Sequence, residues 1–264
     1  AARYHPLLKA RPDLLQNVLN AMSGERGLSH PHPRVRSRSC YLLLKVVKAA
    51  GKAMRPYVET AVGGIQGLIS DPNLAPLLSR DDTLYLFETT GLLLGKTGIP
   101  PAEQGTYLTA VVTPHVQSIQ TVLQSPDLAN DPDQCGETLS NSVAAIAYLS
   151  KGFNKPADEV KKVLGETVPA CLAVLQALPA DGRVRSKCAV YLQRMILCLG
   201  RDVLPCVPSF LEPMVTNCDA EDAADAQQAI NQLCVKFGGD AAGAINDSVV
   251  PFLAKCHDLA AGVG

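Results

Sequence analysis

The sequence predicts an all-α fold of stacked helix pairs, and three observations carry that prediction. Apolar residues return at i, i+3, i+4 and i+7 in 34–53, 84–95, 139–149, 184–199 and 227–237, the spacing that lines one face of an α-helix. Strand signals are weak, because β-branched runs are short and alternation is not sustained. Composition agrees: of 264 residues 47% are apolar, enough for a core, while aromatic residues reach only 5% and Trp is absent. Aliphatic helix-on-helix packing is expected from that balance rather than a sandwich.

Chain breakers set the order of the elements. Ser29-His30-Pro31-His32-Pro33, Asp71-Pro72-Asn73, Gly98-Ile99-Pro100-Pro101, Asn130-Asp131-Pro132, Leu178-Pro179-Ala180-Asp181-Gly182 and Gly238-Gly239-Asp240 interrupt the periodicity. They leave helix 6–22 paired with 34–53, 56–70 with 80–97, 101–125 with 133–153, 158–178 with 182–199 and 202–217 with 220–237, followed by a lone helix 243–260. A proline with Val or Leu close behind recurs at Pro56, Pro114, Pro169, Pro205 and Pro251. These prolines are expected near helix starts, where a missing N–H costs little; Pro114 falls in mid-helix and should kink it. The steps average about 49 residues, near the period of HEAT units. Arg34-Val35-Arg36-Ser37-Arg38 recurs as Arg183-Val184-Arg185-Ser186-Lys187, each time after a Pro-containing loop and before a long apolar stretch, the place of the second helix of such a unit. Each pair has one apolar stripe that it cannot bury alone. The expected architecture is therefore a HEAT-repeat superhelical solenoid, a single array over residues 1–264 with about five helix pairs and a further helix.

Charge, cysteine spacing and missing motifs exclude several function classes. Lys and Arg number 24 against 25 Asp and Glu, so a wholesale nucleic-acid coat is excluded while local basic patches remain possible. Nine cysteines occur without any C-x-x-C pair and mostly inside apolar runs, which reads as buried free thiols in a reducing compartment rather than as a disulfide framework or a zinc site. The histidines give no metal-ligand spacing. No apolar run reaches the ~20 residues of a membrane span, and the chain starts without an initiator Met or a hydrophobic signal core, so it reads as a segment of something longer. G-x-S-x-G, H-E-x-x-H and Walker patterns are absent, so no catalysis, metal, cofactor or small-molecule substrate is expected.

Two helices carry one-sided positive charge. At 100° per residue, 34–53 gathers Val35, Leu42, Leu43, Val46, Val47 and Ala50 on one side and Arg34, Arg38, Lys45, Lys48 and Lys52 on the other. From Arg26 to Val58 there is no acidic residue. In 182–201 the same positions hold Arg183, Lys187, Arg194 and Arg201, again with no acid between the first and last. Such stripes forgo helix-stabilising i,i+4 pairs, which an anionic partner explains and a plain solvated face also allows. Arg36 and Arg185 fall at the stripe edge and are expected to be structural, pairing with an Asp of a neighbouring unit. Asp81, Asp82 and Glu88, like Asp219, Glu221, Asp222 and Asp225, suit either helix capping or docking of a basic protein.

Three stretches carry a family resemblance: Val35-Arg36-Ser37-Arg38-Ser39-Cys40-Tyr41-Leu42; Leu77 to Gly91, with its Asp-Asp-x-Leu-x-x-x-Glu-Thr-x-Gly pattern; and Gln193 to Leu199 followed by Val203-Leu204-Pro205. Together they resemble the exportin-T branch of the karyopherin-β (importin-β-like) receptors, over a central part of such a receptor. The resemblance implies second helices lining a concave surface. It also implies loading of tRNA with Ran-GTP in the nucleus, release in the cytoplasm, and contact with Phe-Gly nucleoporins in the pore. It places the stripe residues as candidates for tRNA or Ran contact, and Asp81, Asp82 and Glu88 as candidate protein contacts. A HEAT-repeat scaffold, or a regulatory subunit that touches no nucleic acid, is the competing expectation.

Overall fold

In the computed structural model, which describes residues 5–261, every regular element is helical. The helices are α1 (His5–Ala10), α2 (Pro12–Met22), α3 (Pro33–Ala50), α4 (Val58–Ser70), α5 (Arg80–Lys96), α6 (Pro101–Gln124), α7 (Asp127–Asn130), α8 (Pro132–Leu149), α9 (Asp158–Ala177), α10 (Gly182–Leu199), α11 (Val207–Asn217), α12 (Ala223–Phe237) and α13 (Ala242–Ala261). A helix stands in each stretch where one was expected. Helix 6–22 is split at Arg11, because Pro12 takes the first helical position of α2 and turns the residue before it out of helical geometry.

Contacts divide the chain into two compact units, one of residues up to Val111 with Tyr148–Phe153, the other of Val112–Ala147 with the residues from Asn154 on. Within the first, α3 packs on α5 and α4 on α5. Within the second, α10 packs on α9 and on α12, while α11 packs on α9 and on α13. Second helices thus lie against second helices in both units, and in the second unit α11 also lies against α9 and α13, the layering of an α-helical repeat protein.

The corners between pairs repeat in detail. α3, α10 and α12 each end at a glycine with positive φ: Gly51 (φ 55, ψ −120), Gly200 (φ 67, ψ −132) and Gly238 (φ 54, ψ −130). A side chain is rarely tolerated there, so glycine is required. Each corner leads into a 3-10 turn, Gly51–Tyr57, Gly200–Cys206 and Gly238–Ala241, before the next first helix.

The recurring prolines depart from the expected pattern. Pro56 and Pro205 lie in those turns; Pro114 sits inside α6, as expected, and Pro169 and Pro251 sit just as deep in α9 and α13. All three are exposed, where solvent reaches the carbonyl that their missing N–H leaves behind.

A glycine seam joins α5 to the end of α8 and the 3-10 turn Ser150–Gly152 that follows it. A Cβ on Gly91 would fall 2.0 Å from the Leu149 carbonyl oxygen, one on Gly95 2.3 Å from that of Gly152, and one on Gly152 1.7 Å from that of Gly91. The two backbones touch directly.

All nine cysteines are free thiols, six of them buried, while Cys234 is exposed. In α6, burial pushes the His115 imidazole down to about 4. Its folded value lies below the unfolded one of about 6.5, so its contribution is complete above pH 6.5 and is lost as pH falls toward 4. Between pH 7 and 4.5 the wild type should lose ~2 kcal/mol more stability than His115→Gln, measured by urea denaturation at both pH values.

Candidate binding surface

The α3 ridge begins at its cap. Pro33 opens the helix, and the Nδ1 of His32 accepts from the Arg34 backbone N–H at 3.2 Å. The Nδ1 of His30 in turn accepts from the His32 N–H at 2.9 Å. With both Nδ1 atoms accepting, the neutral rings carry their proton on Nε2, as donors to whatever lies outside. His30, His32, Arg34 and Arg38, with Ser39 and Leu42, line an open depression of about 630 Å³.

Further along, the ridge cations gather on aromatic rings. The Arg38 guanidinium lies 5.0 Å and the Lys45 ammonium 5.1 Å from the centre of the Tyr41 ring. Tyr41 meets Tyr85 of α5 edge-on at 5.7 Å. Lys48 pairs with Glu88 of α5, which also accepts from Lys151 at 3.2 Å, and Lys151 lies 3.4 Å from the centre of the Tyr148 ring. Burial raises the Glu88 carboxyl and the two lysines more than offset it, so its pKa lies below the usual range. Arg34, Arg38, Lys48 and Lys52 are exposed and Lys45 is half-buried.

The α10 ridge has the same register but carries more acid. Asp181 caps the helix by accepting from the Arg183 and Val184 N–H groups. The same carboxylate and that of Asp133 bind the Arg183 guanidinium at 2.8 and 2.7 Å. Arg201 pairs with Asp240. Arg194 donates to the Asn154 Oδ1 at 3.3 Å, and Lys187 is half-buried. Of the two stripes, α3 therefore keeps the larger uncompensated positive charge.

The two edge arginines are both buried in structural contacts, but only Arg185 takes the expected Asp partners, while Arg36 is held by backbone carbonyls instead. Arg185 is 3% exposed; it donates to Asp222 at 2.5 Å, to Asp219 at 2.8 Å and to the Pro179 carbonyl at 3.1 Å, joining α10 to the start of α12. Arg36 is buried too, donating to the carbonyls of His30, Pro31 and Leu77, each at 2.8 Å. Asp82 holds the place that Asp222 holds in the other unit. It forms a capping box with Ser79, as Asp222 does with Asp219. With Asp82 under its cap and Glu88 between two lysines, Asp81 is the exposed carboxylate of that group.

Several contributors escaped the sequence pattern. His30 and His32 line the α3 depression from its preceding loop. Lys155, in the loop before α9, and Arg194 lie close enough to Lys236, on α12, for their charges to act on it. No helical periodicity links these positions to the stripes. Among the described residues no cluster of His, Cys, Asp or Glu could hold a metal ion, and no helix is long and apolar enough to cross a membrane.

Fold and surface define an α-helical repeat protein whose second helices bear cationic ridges. The Exportin-T family model matches residues 1–262, and the chain belongs to that family. It is 31% identical over 249 residues to Exportin-T of Homo sapiens, covering 89% of this chain and 26% of that protein. To Exportin-T of Mus musculus it is 29% identical over 262 residues (95% and 27%), and to that of Arabidopsis thaliana 28% over 247 residues (89% and 25%). The chain thus spans about a quarter of the length of these relatives.

Proposed function

We propose that the chain is a segment of a nuclear export receptor that carries tRNA out of the nucleus in a Ran-GTP-dependent complex, shuttling between nucleus and cytoplasm and acting by binding rather than catalysis. Family membership supports the receptor role. The observation that carries the RNA part is the α3 ridge, where Arg34, Arg38 and Lys52 stand exposed in a stretch without acidic residues and Tyr41 and Tyr85 lie among the cations. Cations interleaved with rings suit phosphates flanked by ribose and base. Arg183, Lys187, Arg194 and Arg201 then contribute less, since Asp133, Asp181 and Asp240 offset part of their charge. Ran-GTP would use the cationic ridges too, with Asp81 available to a basic protein partner. An apolar pocket of about 240 Å³ between α2 and α4, walled by Leu19, Met22, Ile65 and Leu68, suits a nucleoporin Phe ring.

Reversing Arg34, Arg38, Lys45 and Lys52 to Glu should weaken tRNA binding and flatten the plot of log K against log salt by roughly 0.7–0.9 for each phosphate no longer neutralised. Titration of labelled tRNA at several salt concentrations, with and without Ran-GTP, measures this. An unchanged slope would leave the scaffold alternative in possession of this face.

A further inference from the structure

Where α3 meets α5, two buried side-chain atoms have no hydrogen-bond partner among the described residues: the Nε of Arg36 and the Oδ1 of Asp82. The two residues are 5% and 3% exposed, and their helices pack on one another within the first unit. Their remaining polar atoms are engaged. The other two nitrogens of Arg36 donate to the carbonyls of His30, Pro31 and Leu77, and the Oδ2 of Asp82 accepts from the Ser79 N–H at 3.0 Å. Both charges reach the buried Cys40 thiol, one turn along α3 from Arg36. Burial first and then Asp82 push that thiol up to about 12, while Arg36 draws it down.

In the second unit the same joint is complete. Arg185 and Asp222 stand where Arg36 and Asp82 stand, and there the Nε donates to the carboxylate. The oxygen it reaches is the one left over when Asp222 accepts from the Asp219 N–H, as Oδ1 is left over on Asp82. One residue accounts for the difference. A second nitrogen of Arg185 finds the Asp219 carboxylate, whereas Ser79 occupies that position before α5 and offers none, so Arg36 turns to the Leu77 carbonyl. The third contact is shared: Pro179 and His30 each lie six residues before the arginine, and both carbonyls accept from it.

We propose that Arg36 is a two-position latch on the loop 71–79 between α4 and α5. In the position seen it grips the Leu77 carbonyl; in the other its Nε donates to Asp82, and the loop is let go while the His30 carbonyl stays bound. A buried guanidinium that gives up a carbonyl is costly when nothing replaces it. Here a buried carboxylate with an open acceptor lies at the same joint, so a neutral acceptor is exchanged for a charged one. The loop has little apolar contact of its own to hold it, since Leu77 is exposed and Leu74 half-buried. A partner can therefore displace the loop without leaving a buried charge unpaired. The anchor of the His30 rim is common to both positions, so the α3 depression is spared.

The test is made on the full chain. Ser79→Asp supplies the carboxylate of the Asp219 position and retains a helix-capping side chain, so it should draw Arg36 across to Asp82. Hydrogen–deuterium exchange of the amides in 71–79 should then run roughly three- to tenfold faster than in the wild type, with the urea midpoint unchanged or higher. In proton–nitrogen spectra of the arginine side chains the Arg36 Nε–H, identified by its loss in Arg36→Lys, should move towards that of Arg185. Adding Asp82→Asn removes the charged acceptor and should return the loop to its wild-type exchange rate. Unaltered loop exchange in Ser79→Asp overturns the proposal, and so does exchange that stays fast once Asp82→Asn is added. Faster exchange together with a lower midpoint is general loosening and overturns it as well.

Discussion

Gly152→Ala is expected to destabilise the protein by ~3 kcal/mol or more, lowering its melting temperature by roughly 6–12 °C. The new methyl would sit 1.7 Å from the Gly91 carbonyl oxygen, a backbone atom that no rotamer change can move aside. α5 and the turn after α8 must separate, and the surrounding core separates with them. Gly91→Ala meets the Leu149 carbonyl at 2.0 Å and should behave similarly. Gly64→Ala in α4 is the internal control, since nothing lies within 4 Å of the position its Cβ would take. There the gain in helix propensity should add ~0.5–1 kcal/mol. Thermal and urea denaturation of the three variants would decide the matter. Equal stabilities for Gly152→Ala and Gly64→Ala would mean that the seam yields to a methyl group and is no direct backbone junction.

Arg185→Ala should cost about 3–5 kcal/mol, because it leaves the Asp222 carboxylate, 6% exposed, without its charged partner. Removing both charges, with Arg185→Met and Asp222→Asn together, should recover much of that loss, since an unpaired buried charge costs more than a missing pair. Arg183→Ala is the contrast: its guanidinium is at the surface, where ion pairs contribute roughly 0–1 kcal/mol. A double-mutant cycle on urea midpoints measures the coupling, and a loss below 1 kcal/mol for Arg185→Ala would show that Asp222 finds other partners.

The fold was legible because its signals are local. Helical periodicity and Pro- or Gly-containing breakers each act within a few residues, and they locate nearly every helix end. The structural role of Arg36 and Arg185 was legible for a similar reason: an arginine on the apolar side of its own helix must find a partner in the neighbouring element. Charge compensation was less visible. Asp181 stands in plain view as a turn residue, but its hold on Arg183, and that of Asp133, depend on how α8 and α10 lie together. Glu88 likewise reads as one member of an acidic group until α3 and α5 pack and place Lys48 and Lys151 on it. The glycine seam joins positions far apart in the chain, and nothing near Gly91 announces Gly152. Lys155 and Lys236 belong to no stripe, so only packing brings Lys155 and Arg194 within electrostatic reach of Lys236.

The corners at Gly51, Gly200 and Gly238 carry a consequence for chirality. Inverting the signs of their backbone angles, near +55 to +67 and −120 to −132, gives an ordinary extended conformation for an L-residue. At these three points the main chain takes the mirror image of a conformation that L-residues ordinarily adopt. The genetic code supplies a single achiral residue for such a reversal, so the joints are the places where the choice of amino acid narrows to one, even where the segments between them differ in length.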